Sequence, residues 1–209
     1  VDNYNYNVNI YMKNYFQTEP GIGKEIDKPS HAVGEEVKYK LSVTPLAFNI
    51  SEFKELVVTD ELDSRLNFYA LGHTGGAAYL PLNAHNKGEK DTIETNKPVI
   101  LPEDSVVFFQ RAYDNGEASV DKEGNPKYNR IILTPNKDYY VSHPDQNTNG
   151  TIRWKFTQTG LQKLTGIREG DGSRIELYFT ALTTAAVHAN EIVPNGGTLD
   201  FQNKWGYGT

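Results

Sequence analysis

Short stretches in which every second residue is apolar recur along the whole chain, and nowhere do they lengthen into the period of a sustained helix. Tyr4, Tyr6, Val8 and Ile10 alternate with asparagine; Leu66, Phe68 and Ala70 repeat the pattern, as do Ile175, Leu177, Phe179 and Ala181. The runs 36–43, 53–60 and 151–157 are similarly rich in strand formers, and the last is 198–205. Only Gly160-Leu161-Gln162-Lys163-Leu164 has a spacing that suits a turn of helix. Many short strands without a long helix or a solenoid repeat imply an all-β chain folded as a β-sandwich.

Pro20-Gly21 breaks the alternation and divides a strand and linker at 1–19 from the main domain at 20–209. Between 72 and 150 the composition shifts. Gly75-Gly76, Asn115-Gly116, Gly124-Asn125-Pro126 and Asn149-Gly150 mark turns between strands expected at 105–112, 128–134 and 138–142, so this region reads as an inserted set of hairpins. At 209 residues one principal core is the default. The chain opens within a strand-like segment and has neither a signal peptide nor an apolar run long enough to span a bilayer. It is expected to be a piece of a longer protein that makes no membrane contact through this fragment.

Several chemistries fit the residues poorly. With 21 basic against 27 acidic residues the formal charge is −6, which argues against nucleic acid as a partner. There is no cysteine, hence no disulfide and no thiolate ligand or nucleophile. His31, His73, His85, His143 and His188 stand too far apart in sequence for a clustered zinc site. Asp114-Asn115-Gly116-Glu117 and Asp121-Lys122-Glu123-Gly124-Asn125 offer oxygen ligands without the spacing of a calcium loop, and read as solvated turns. No phosphate loop and no catalytic triad is recognisable, so neither metal nor cofactor is expected and the chain does not read as a turnover enzyme.

Lys24 is the residue that needs an explanation. In Gly21-Ile22-Gly23-Lys24-Glu25-Ile26 the two-residue period puts Lys24 on the face of Ile22 and Ile26. Either it sits at a sheet end and extends its ammonium into water, or it is buried and neutral, which makes the amine a nucleophile. Two other polar residues read as inward-facing. Asp60 ends the run Val57-Val58-Thr59-Asp60, and Asn203 shares the parity of Phe201 in the last strand. A protonated Asp60 could polarise the Asn203 carboxamide while neutral Lys24 attacks it and ammonia leaves. The product is a Lys–Asn isopeptide bond closing nearly the whole chain into a loop, in a chain that has no disulfide.

These segments together resemble the isopeptide-forming domains of Gram-positive fimbrial backbone subunits, of the collagen-adhesin type. The resemblance rests on 22–26, 33–39, 56–62, Gly160-Leu161, 175–181 and 199–203. It implies that the sandwich is immunoglobulin-like, with Lys24, Asp60 and Asn203 as amine, acid and amide of an internal isopeptide bond. Upstream, Tyr4 followed by Val8-Asn9-Ile10-Tyr11-Met12-Lys13-Asn14 is similar to the family's sortase-targeted motif, with Tyr4 in place of tryptophan and Met12 in place of proline. By that resemblance Lys13 is the amine joined to the next pilin subunit by a class C-type sortase. The implied setting is a secreted, cell-wall-anchored surface protein whose partners are neighbouring subunits. The alternative within the resemblance is an adhesin that binds host matrix protein or glycan through 72–150.

Overall fold

The computed structural model describes residues 21–27, 31–44, 53–73, 84–86, 106–168, 170–186, 193 and 195–203; for 84–86 and Asn203 it describes the backbone alone. The strands of the larger sheet begin with β1 (Gly21–Ile26), β2 (Glu36–Thr44) and β4 (Leu66–Leu71). They continue with β5 (Ala84–Asn86), β6 (Val106–Arg111), β9 (Tyr128–Leu133) and β12 (Arg174–Thr183). The order is β1-β2-β12-β6-β9-β5, and β4 also pairs with β12, beside the end of β12 that β6 leaves uncovered. A second sheet has the order β10-β11-β3-β13, from β10 (Tyr139–Ser142), β11 (Thr151–Phe156), β3 (Phe53–Glu61) and β13 (Gly196–Asn203). The all-β sandwich expected from the alternation is therefore present, and almost every pairing is antiparallel.

The core lies between the two sheets. Alternate residues of β2 (Val37, Tyr39, Leu41, Val43) and β12 (Ile175, Leu177, Phe179, Ala181) meet Leu56 and Val58 of β3 and Ile152, Trp154 and Phe156 of β11. Strand β12 is buried on its other face too, where Glu176 accepts hydrogen bonds from Arg174 Nε at 2.6 Å and from the Tyr178 hydroxyl. A strand buried on both sides lies inside its sheet, and β12 is flanked by β2 on one side and by β6 and β4 on the other.

The 72–150 region supplies hairpins, and β6 and β9 are built into the larger sheet rather than standing beside it. The small hairpin of β7 (Tyr113–Asp114) and β8 (Glu117–Ala118) turns through Asn115 and Gly116, both at positive φ, as a two-residue loop on right-twisted strands requires. The two acidic turns have internal uses. Asp114 accepts from Ser119 Oγ at 2.6 Å, and Asp121 accepts from the backbone N–H groups of Glu123 and Asn125, each at 2.9 Å.

A short helix, α1 (Gln158–Lys163), is capped by the Thr157 hydroxyl, which accepts from the Gly160 N–H at 3.1 Å. Leu161 and Leu164 plug one end of the core. Gly160 lies so close to the Asp138 carbonyl that a Cβ there would fall 2.0 Å from its oxygen, so only glycine fits.

Candidate functional site

Strand β1 is one edge of the larger sheet and β13 one edge of the smaller, and the two edges face each other across the sandwich. Gly197 allows the close approach: a Cβ at this position would lie 3.2 Å from Ile22 Cδ1 and 3.5 Å from Leu41 Cδ2. Beside this contact the core face carries two ionisable side chains.

Lys24 points inward between Ile22 and Ile26, with its side chain only 6 % exposed, and donates a hydrogen bond to Asp60 Oδ2. Its Nζ stands 4.4 Å from the centroid of the Tyr39 ring and 5.2 Å from that of Phe179; these two rings stack at 4.8 Å. The ammonium therefore has one acidic partner and an aromatic wall in place of water. Burial pulls the Lys24 pKa down from 10.5 to about 8, although the Asp60 charge opposes the shift. Asp60, fully buried on the face of Leu56 and Val58, is pushed above the ordinary aspartate value by the same desolvation, against the pull of Lys24. Both shifts favour a neutral amine beside a protonated acid.

The structure does not bring Asn203 to this pair. In the pairing of β3 with β13, Asp60 lies opposite Gly197, whereas Asn203 lies opposite Phe53, roughly 23 Å further along β3 at about 3.3 Å per residue. Shared parity with Phe201 does not bring Asn203 to Asp60, because parity sets the face a residue lies on and not its place along the partner strand, and the pairing shifts register between Gln202 and Asn203. Followed the other way from Phe201, the same parity passes Leu199 and Gly197 and arrives at Asn195.

Asn195 is close enough to Asp60 to favour its ionised form, though less strongly than burial opposes it. No full hydrogen bond is completed. Asn195 Oδ1, Asn195 Nδ2 and Asp60 Oδ1 are all buried and unpartnered. Three orphaned polar atoms beside a desolvated lysine form an arrangement that costs stability unless it has a use. Sequence reasoning looked downstream of Phe201 and missed Asn195; the signal that could have found it was the upstream parity, together with Gly197, which lets β13 approach β1.

Glu176, another buried acid, is on the opposite face of β12 from Leu177 and Phe179 and is engaged by Arg174 and Tyr178, away from Lys24. Lys13 lies outside the described residues, as does most of the segment between β4 and β6. Among the described residues no cluster of His, Asp and Glu could hold a metal ion, and no helix is long and apolar enough to cross a membrane.

No protein-family model matches the chain, and no curated protein matches it. Solved structures do share its fold. The 35 kDa C-terminal fragment of the major pilin GBS80 of Streptococcus agalactiae matches with a TM-score of 0.53 at 12% identity, over 88% of this chain and 49% of that one. The full-length major pilin SpaD of Corynebacterium diphtheriae matches at 0.48 and 15% identity, over 88% of this chain and 31% of that one. The collagen-binding subdomain of the Enterococcus faecalis surface protein ACE matches at 0.44 and 12% identity, over 92% of each chain. The chain thus has a fold found in a Gram-positive major pilin, and it spans a third to a half of the length of these two pilin chains.

Proposed function

We propose that this chain is a structural domain of a sortase-assembled, cell-wall-anchored surface pilus, stapled internally by an isopeptide bond between Lys24 and Asn195 that Asp60 promotes. The observation that carries the reading is the buried Lys24–Asp60 pair with the unpartnered Asn195 amide beside it. In the reacting form Lys24 Nζ is neutral and Asp60 is protonated. The amine attacks Cγ of Asn195 while Asp60 polarises Oδ1 and stabilises the developing oxyanion. Asp60 then relays a proton from the attacking nitrogen to Nδ2, the Cγ–Nδ2 bond breaks, and ammonia leaves. One amide is exchanged for another, so no oxidant or cofactor takes part. Each chain reacts once, which makes this maturation and not turnover.

The test is the mass of the folded protein together with a peptide map. The protein should weigh one ammonia less than its sequence, and a branched peptide should join Lys24 to Asn195. Folded protein in which Lys24 is unmodified would sink the reading. For the pilus itself, Lys13 is the proposed point of attachment to the next subunit. In the full-length protein with its sortase, Lys13→Ala should abolish covalent multimers while leaving the internal bond formed; multimers joined through another lysine would overturn that assignment.

A second reading has one observation behind it. Val120, Ile132 and Tyr140, all within 72–150, are exposed large apolar side chains. An adhesin would use such residues to hold a host matrix protein such as collagen. Collagen binding by the isolated domain that is lost in Tyr140→Ala would favour it, and no binding would remove it.

A further inference from the structure

The Asn195 side chain has a second nucleophile within reach, and it belongs to the chain itself. The next residue is Gly196, whose missing side chain leaves open space where a Cβ would stand. Attack of the Gly196 backbone nitrogen on Asn195 Cγ closes a five-membered succinimide and expels ammonia. Water then opens the ring to aspartate or isoaspartate. The electrophile is the one the staple uses, activated by the same Asp60.

We infer that Asn195 has two competing fates, capture by Lys24 or cyclisation onto Gly196, and that chains which miss the isopeptide bond deamidate selectively at this position. This rests on Asn195 being the amide at the site, and it goes beyond the cross-link.

The chain contains three Asn–Gly pairs, and their surroundings separate them. Asn149 is held by three hydrogen bonds in which its Nδ2 donates to the carbonyls of Leu62, Asp63 and Leu66, at 3.2, 2.8 and 2.8 Å. Asn115 is fixed at φ 51° in the tight turn between β7 and β8. Asn195 has neither restraint, since both polar atoms of its amide are unpartnered and it stands just before the first residue of an edge strand. Pairing of Gly196 with Glu61 limits the approach of the Gly196 nitrogen while β13 is fully docked. Without the covalent staple the end of an edge strand opens more often, and each opening lets the ring close.

The aspartate product is not a dead end. Lys24 can still condense with that carboxyl group, losing water in place of ammonia, and the final amide is the same. Isoaspartate lengthens the backbone by one carbon and misplaces the carboxyl group, so those chains stay unlinked.

Succinimide and isopeptide each lose one ammonia, so intact mass does not tell them apart and a peptide map is required. The experiment uses Lys24→Met, which keeps an apolar chain of similar length against Tyr39 and Phe179. Incubated at pH 8 and mapped over time, this variant should gain one dalton at Asn195, with isoaspartate at that position and Asn115 and Asn149 unchanged. Adding Gly196→Ala to Lys24→Met should slow the change severalfold. Asn195→Asp in the otherwise natural chain should fold and lose one water. An Asn195 that survives in Lys24→Met while an unstructured peptide of residues 193–199 deamidates in the same buffer would overturn the inference and leave the cross-link standing. Wild-type protein with free Lys24 and aspartate at position 195 would do the reverse.

Discussion

Lys24 and Asp60 are each moved toward neutrality by burial, and because they share a hydrogen bond their protons must be counted together. The reactive form holds one proton between them, on Asp60. Raising the pH above about 8, the depressed value for Lys24, removes that proton and with it the acid. Lowering the pH below the raised Asp60 value adds a second proton and blocks the amine. Protein recovered unfolded and unlinked, then refolded at graded pH, should therefore form the bond fastest between these limits. The alkaline limb should lie near 8, not near the ordinary lysine value of 10.5. Asp60→Asn removes proton relay while keeping the size of the side chain, and should slow bond formation by about 10²–10⁴-fold. A rate that keeps rising to pH 10 would mean that amine deprotonation alone is limiting and that Asp60 has no acid role.

At the scale of strands, the period of two put Lys24 on the face of Ile22 and Ile26 but left open whether its amine reached water, and only the packing of β1 against β3 shows it buried beside Asp60. The same period could not place Asn203, because a shared face does not say how far along the partner strand a residue lies, and Asn203 pairs opposite Phe53 and not opposite Asp60. Which residues of two strands lie opposite each other is a long-range fact that no local pattern of residues announces. The same limit applies to β6 and β9. Their turns mark them as hairpin strands, but that β6 pairs with β12 is a long-range fact. Nor could the residues alone show that Tyr39 and Phe179 stack beneath Lys24, since they come from different strands. The approach of β13 to β1 gives a prediction at this scale. Gly197→Val would push against Ile22 and Leu41 and cost about 1–3 kcal/mol by overpacking, while moving Asn195 away from Lys24. Urea unfolding and the fraction of linked chain should both fall. Unchanged linkage would show that β13 docks correctly without the close contact.

For the molecule as a whole, what matters is where the proposed Lys24–Asn195 staple would sit in the topology. Among the described residues β1 comes first and β13 last, and each pairs with a single neighbouring strand at the outside of its own sheet. Such strands open first under heat or load, because few contacts have to break before they leave. A bond from Lys24 to Asn195 ties the two together and closes a loop over most of the domain. In the chain-entropy view a loop of this length stabilises the fold by about 5 kcal/mol. For a domain of this size that corresponds to roughly 10–20 °C in Tm. Lys24→Met should lose about that much, and hydrogen exchange should locate the loss. In the variant the amides of β1 and β13 should exchange well before those of β12, which lies at the centre of its sheet and is buried on both faces. In the linked protein β1 and β13 should approach the protection of β12, because opening either edge strand then requires moving the other. A variant in which protection falls evenly over all strands would place the effect of Lys24 in general packing, and the two edges would not then be coupled through a covalent link.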